Sequence, residues 1–488
     1  MILKRLLNGV RLNKEPQTLK VCKRLFGQPV YDTHPHVMRK DHVTPGISKS
    51  EYKQRRSHLW NNICKVSHKN SALAVISAYP KSYMAHDVPY PFRQNSDFLY
   101  LCGFQEPDSI LVMSNLFNSN EHNKEDFKTI IFVPKRDKLK ELWDGPRTGS
   151  ERAAEVTGCD ESFDVDYFDK FLQKILQSDQ TFDLWYDNSS PSHRSHHSKL
   201  SNTLLKSCKV KNVQPTKTSV QNLRLIKSEA EIDLMKIACD IGSKSLEKVM
   251  RYSKPKIDES HLYAKMDFEC RIHGAERLAY PPVVAGGSRA NIIHYINNNQ
   301  LVDNGDMVLM DAGCEYFGYC SDITRTWPVN GVYSTTQKSL YEALLEVQMS
   351  CISLCHANYL TLNQIFLVML TLLGRQLQKL GIISASISED KLSEISRTFC
   401  PHHVSHYLGM DVHDVDEMSR NIQLRPGMIV TIEPGIYIPS DRLDVPKDWR
   451  GVGIRIEDDI LITKSGPLNL TEKCPKYLSH IENIINTY

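Results

Sequence analysis

The sequence predicts an α/β domain followed by an α+β domain, and three observations point there. From Glu51 to about Val213, short β-like runs alternate with helix-like stretches, the pattern of an α/β layer. Near 214–228 a polar junction ends in Ser228 with Glu231 three residues on, a capping box that opens a helix and a second domain. In the last third, apolar runs of strand length each stop at or beside a carboxylate. A chain of 488 residues is too long for a single core to be the default, so the natural division is a leader, 1–50, and two domains, 51–220 and 221–488.

The leader holds Lys4, Arg5, Arg11, Lys14, Lys20, Lys23 and Arg24 against Glu15 alone, mixed with Ile2, Leu3, Leu6, Leu7, Val10 and Leu12. That is how a mitochondrial presequence reads, so a mitochondrial address, with the matrix as destination, is expected beside a possible cytosolic pool; a disordered basic tail is the plainer alternative. The leader's charge exceeds the +3 of the whole chain, so the remainder is net acidic, which removes the electrostatic case for nucleic acid as a partner. With 41% hydrophobic and 24% charged residues the composition is that of an ordinary globular protein. No run reaches the roughly 18 apolar residues of a membrane span; Ile365 to Leu373 is the length of a buried helix. Thirteen cysteines without a CxxC motif read as free thiols in a reducing compartment, with Cys351, Cys355, Cys314 and Cys320 as packing residues.

In the first domain the β-like runs are Leu73 to Ile76, Phe98 to Leu101, Ile110 to Met113, Ile130 to Val133 and Leu184 to Tyr186, with helices expected over 51–64 and 166–177. The stretch 189–199, with His193, His196 and His197, reads as a solvated loop without a role. In the second domain, Ile232, Met235, Ala238 and Cys239 share one face of the helix opened at Ser228. The runs 307–313 and 319–329 suggest a hairpin setting Asp311 opposite Asp322, with Cys320, Asp322, Thr324 and Thr326 on one face and Ile323 and Trp327 on the other. Near the C-terminus Val452, Ile454 and Ile456 alternate with Gly453, Arg455 and Glu457, so one face packs and the other sets a guanidinium beside a carboxylate. Glu433 ends the run Met428 to Ile432 before the Pro434-Gly435 turn.

Taken singly these signals are weak: an Asp before Ala-Gly is usually a turn residue, and His402 with His406 misses the HExxH zinc pattern because position 403 is His. Together, Asp311, Asp322, His406, Glu433 and Glu457 form a set of hard and borderline donors suited to two divalent cations. Four converging acids without a cation would repel and take up protons. Two divalent ions balance them, and such a pair acidifies a water while polarising a carbonyl, so hydrolysis is the chemistry implied.

DAGCEYFGYCSDITRTWP at 311–328, PHHVSHYLGMDVHD at 401–414, TIEPGIYIP at 431–439 and GIRIEDD at 453–459 resemble the metal-binding blocks of the pita-bread metallopeptidases, in their aminopeptidase P and prolidase branch. YPPVVAGGSRANIIHY at 280–295 is similar to that branch's block with a further histidine, and the likeness continues through 34–56, 98–113 and 142–149. The resemblance implies a creatinase-like α/β N-terminal domain ahead of an α+β pita-bread metallopeptidase domain. It implies that Asp311 holds one metal, Asp322 and Glu457 bridge both, and His406 and Glu433 hold the second. His294, His402 and His413 match histidines that bind substrate and stabilise the transition state; Arg455 and Tyr437 match groups beside the cluster. Manganese suits the oxygen-rich set, with cobalt, iron or zinc able to substitute.

The implied reaction is hydrolysis of the N-terminal Xaa-Pro bond of peptides and proteins, with His402 or His413 polarising the carbonyl and Glu433 carrying the proton. A homodimer is the expected assembly. Rival readings are a prolidase cutting Xaa-Pro dipeptides, a methionine aminopeptidase, a metal-free creatinase, and a scaffold that keeps the fold without the chemistry.

Overall fold

Two-residue alternation builds the first domain. The computed structural model describes residues 26–67, 71–117 and 126–487, and in it six strands form one sheet: β1 (Ser71–Ser77), β2 (Ile110–Ser114), β3 (Lys128–Val133), β4 (Glu161–Asp164), β5 (Phe182–Trp185) and β6 (Val210–Gln214). Their order across the sheet is β4-β3-β2-β1-β5-β6. β1 runs antiparallel to β2 and parallel to β5. Both faces are buried, and the alternation sorts side chains into two cores. Leu73, Val75, Val112 and Phe132 join Phe168, Phe171 and Leu172 of the helix Phe168–Gln177. Ala74, Ile76, Met113 and Ile131 join Leu59 and Trp60 of the helix Lys49–Ser67. This second core continues into Leu234, Met235, Tyr319, Leu408 and Met410, so the two domains share apolar packing.

Two expectations fail here. Phe98 to Leu101 is part of a helix, Ser96–Cys102, because Asn95 caps it by accepting from the Phe98 N–H and Gly103 ends it in the left-handed conformation. Residues 194–202 form a helix that starts at His193 and buries His196 and Leu200, in place of a solvated loop.

The capping box at Ser228 forms as expected: Ser228 accepts from the Glu231 N–H, Glu231 accepts from the Ser228 N–H, and the helix runs Glu229–Tyr252. With the helices Glu259–Ile272, Thr335–Ser353 and Leu362–Lys379 it wraps the strands of the second domain around one large core. Those strands are β7 (Val283–Gly286), β8 (Met307–Asp311), β9 (Thr324–Pro328), β10 (Ile429–Ile432), β11 (Gly435–Ile438), β12 (Val452–Arg455) and β13 (Asp458–Thr463). β8 lies between β7 and β9, β10 pairs with β13, and β11 with β12, all antiparallel. Among the described residues no helix is long and apolar enough to cross a membrane. The presequence expectation lies outside the described residues.

Candidate metal centre

Each acid of the expected set stands at or close to a strand end. Asp311 is the last residue of β8, Glu433 follows β10, and Glu457 sits between β12 and β13. Asp322 is two residues short of β9, and this corrects the expected pairing: Asp311 registers with Thr324, because the chain leaves strand geometry at Ser321–Ile323. The break is fixed by the buried Asp459, whose Oδ2 accepts from the Asp322 N–H at 3.0 Å. Ile323 and Trp327 still point into the core, as their parity requires. The segment carrying His406 lies beside β10: the Thr431 N–H donates to the His406 carbonyl at 3.0 Å and the Glu433 N–H to that of Val404 at 2.9 Å. The Glu457 N–H donates to the Thr324 carbonyl at 3.1 Å, tying the last acid to β9.

Asp322, His406 and Glu457 offer ligand atoms that all lie within 4.8 Å of one another. His406 Nε2 is 3.3 Å from Asp322 Oδ2 and 3.6 Å from Glu433 Oε1. Asp311 joins through Tyr280, whose hydroxyl bridges Asp311 Oδ1, at 2.6 Å, and Asp322 Oδ1. All five expected donors therefore converge. His406 Nδ1 lies 3.1 Å from the Tyr407 carbonyl, a contact only an N–H satisfies, which leaves Nε2 facing the acids, to carry a proton toward Asp322 or to offer its lone pair to a cation.

Around the donors stands a chain of polar contacts. Arg455 Nη2 donates to Asp311 Oδ2 at 2.5 Å, its Nη1 to the Tyr437 hydroxyl at 2.7 Å, and its Nε to Thr324 Oγ1 at 3.1 Å. Thr324 Oγ1 in turn donates to Glu457 Oε2 at 2.6 Å. The Tyr437 hydroxyl is 2.9 Å from His402 Nε2, and His402 Nδ1 is 2.9 Å from the His403 carbonyl. His413 packs edge-on to His406 with ring centroids 4.5 Å apart. His413 and His294 are exposed, while Asp322, His406, Arg455 and Glu457 are buried. Asp458, next in sequence to Glu457, faces away into a buried network with Arg325 and Lys476.

Electrostatics tests whether this set fits cations. Burial drives Glu457 well above the usual carboxylate range, with Asp322, Glu433 and Asp311 adding repulsion. Burial likewise raises Asp322 and lifts Glu433 to about 7. Burial opposes a charged His406, yet the hydrogen bond to Asp322 and the nearby Glu433 raise it to about 9. Left to protons, the cluster balances its charge by keeping them; divalent cations supply the same balance, and the oxygen-rich set with one imidazole is the donor chemistry they take. Tyr280 and Thr431 are the contributors that sequence reasoning passed over, while Thr324 was placed on the face of Asp322 without a role there. Tyr280 opened the block already singled out for His294, the one signal that pointed toward it.

A pentad of four carboxylates and an imidazole, three of the five buried, clamped by an arginine and set at or beside the strand ends of an α+β domain, is a donor set of the kind metallohydrolases use. Comparison with known proteins gives the family. Residues 233–464 match metallopeptidase family M24, and residues 52–185 match the aminopeptidase P N-terminal domain. Xaa-Pro aminopeptidase 3 of Homo sapiens is 48% identical over 95% of this chain and 91% of its own length. The mitochondrial intermediate cleaving peptidase 55 of Arabidopsis thaliana is 38% identical over 95% of this chain and 88% of its own. The solved proline aminopeptidase P II from Yersinia pestis superposes with a TM-score of 0.83 at 33% identity, covering 91% of this chain and 100% of that one. The chain belongs to metallopeptidase family M24, with the domain pair of aminopeptidase P.

Proposed function

We propose that this enzyme hydrolyses the N-terminal Xaa-Pro bond of peptides and proteins, holding two divalent ions, manganese foremost, on Asp311, Asp322, His406, Glu433 and Glu457. The observation that carries the reading is the gathering of Asp311 and Glu433 around the close group of Asp322, His406 and Glu457, within a chain that aligns with Xaa-Pro aminopeptidase 3 along nearly its whole length. Bound there, the ions supply positive charge that polarises a scissile carbonyl and lowers the pKa of the attacking water.

The chain's own residues do the rest. A prolyl bond has no N–H, so the site must recognise the peptide by other contacts. Both ring nitrogens of His402 are committed: its Nδ1–H goes to the His403 carbonyl and its Nε2 accepts from Tyr437, whose oxygen accepts from Arg455. That series orients Arg455 against Asp311 and makes His402 a positioning residue. His413 has no hydrogen bond to its ring among the described residues, and it is exposed beside His406. It is the histidine placed to donate to the carbonyl oxygen as negative charge builds there. Positive charge held beside it disfavours a second proton on its ring, so it acts as a neutral donor. Glu433, beside His406 at the edge of the donor set, is placed for transfer of the water's proton to the departing proline nitrogen. His294, exposed on the same side, belongs to the substrate's approach.

The Arabidopsis relative's name and the basic leader support a mitochondrial location, where trimming of protein N-termini is the role proposed; a homodimer is the proposed assembly. The test is metal analysis of the purified protein and of Asp322→Ala, each assayed on Xaa-Pro-Pro and Xaa-Ala-Pro peptides. The expected result is two ions per chain, a sharp fall in the variant, and cleavage of the prolyl series alone. Equal cleavage of both series, or full activity after chelation, would overturn the reading. A preference for dipeptides would replace it with the prolidase reading.

A further inference from the structure

A cavity of about 280 Å³ opens on the second domain between the helix Thr335–Ser353 and the segment 469–480, and no residue of the candidate metal centre lines it. Its walls are Met349, Ile352, Pro475 and Tyr477, with room for a small ligand. Lys476, whose side chain is 7% exposed, lines it as well. Lys476 Nζ donates to Asp458 Oδ2 at 2.6 Å and to Gln348 Oε1 at 3.2 Å, and its third proton meets no acceptor among the described residues. Asp458 is already held by the wholly buried Arg325, whose Nη2 donates to its Oδ1 at 2.6 Å. Two buried cations therefore share one carboxylate, which leaves this network with an excess of positive charge. Such an excess is costly out of water, and an anion within reach relieves it. Glu472 and Lys473 at the rim are exposed, where solvent screens them. The helix Leu478–Asn486 starts at Tyr477 without a side-chain cap, so its first N–H groups add to the positive potential.

We propose that this cavity is a second ligand site, for a small monocarboxylate with a short alkyl chain. Its carboxylate takes the third Lys476 proton and balances the network, while its chain lies against Met349, Ile352, Pro475 and the Tyr477 ring. Both halves of the ligand are needed, because the charge answers Lys476 and the chain answers the walls. The occupant meets the protein through Lys476 and Asp458, and Asp458 directly follows the metal donor Glu457. The inference is independent of which peptides the enzyme cuts.

The test is calorimetric titration of the purified enzyme with hexanoate, with 1-hexanol, which has the chain without the charge, and with inorganic phosphate, which has the charge without the chain. Wild type is compared with Met349→Trp, which narrows the cavity from an exposed helix position, and with Lys476→Gln, which removes the cation while Arg325 keeps Asp458 paired. Expected is an affinity for hexanoate about tenfold or more above that for either control, falling about tenfold in each variant. Met349 touches none of the metal donors, so hexanoate binding that Met349→Trp leaves unchanged belongs to another place, the metal centre included, and overturns the proposal. Equal affinity for 1-hexanol or for phosphate, or no binding of hexanoate to the wild type, overturns it as well. An unchanged far-ultraviolet circular dichroism spectrum certifies the fold of each variant, and if Lys476→Gln fails to fold, Met349→Trp decides alone.

Discussion

The Tyr280 hydroxyl spans two acids that chain connectivity keeps apart, and it does so from a position exposed to neither strand register nor parity. Tyr280→Phe keeps the ring and removes that contact; metal affinity should fall about 10- to 100-fold, the usual effect of losing a group that orients ligands. Titration of the metal-free protein with Mn2+ checks this, and unchanged affinity would show that the hydroxyl does not orient the ligands. A second residue governs acid stability. Burial, aided by His193, pushes His196 down to about 3. Below pH 6.5 the unfolded chain therefore binds a proton that the folded chain refuses, so stability present above that pH declines as pH drops toward 3, by at most about 1.4 kcal/mol per unit. His196→Phe should flatten that slope in chemical denaturation, and an unaltered slope would assign it to other groups. That Asp311, Asp322, His406, Glu433 and Glu457 gather in one place was legible in the sequence, because each acid stands at or beside the end of a strand-length run and His406 in a block beside them. Tyr280 was not, since a lone tyrosine before Pro281 looks the same whether its hydroxyl meets solvent or two carboxylates 31 and 42 residues away.

The loop between β8 and β9 shows why elements, as well as residues, hold the site. Gly313 packs so closely that an added Cβ would stand 1.7 Å from the Ser321 carbonyl oxygen, next to Asp322. Gly313→Ala should therefore displace the Asp322 backbone, costing about 1–3 kcal/mol of stability together with metal affinity. Thermal denaturation and metal stoichiometry measure both, and native values would refute the close packing. Strand alternation fixed the inward faces of β9 and β12 correctly from sequence, because a two-residue period leaves one choice per strand. It misplaced Asp322, because parity carries no information about where a strand breaks, and this break is set by Asp459 from 137 residues away. The helix Ser96–Cys102 went unread for a related reason: five of its seven residues are buried, so it has no polar face to mark a helical period, and only Asn95 and Gly103 announce it.

At the scale of the molecule, charge joins the two domains alongside apolar packing. Arg224, 3% exposed, donates to Asp97 of the first domain at 2.6 Å and to Asp411 and Asp414 of the second. Arg224→Ala would take from Asp97 its cation and leave Asp414 to Lys227 and Asp411 to Arg93, and should destabilise the protein by about 1–3 kcal/mol, seen as a lower or split thermal transition; an unchanged single transition would show that the domains are held by packing alone. The two-domain plan was legible from alternation and from the capping box, whereas a cavity between the domains was not, because its walls come from stretches as distant as Ile76 and His413. The spread of the donors from Asp311 to Glu457 has a bearing on biogenesis. At about 5–20 residues per second a ribosome takes several seconds or more to travel between those two codons, and longer still to free the last of them from its tunnel. The donor set is complete only once Glu457 has emerged, and a message truncated anywhere before β12 yields a product that lacks that carboxylate.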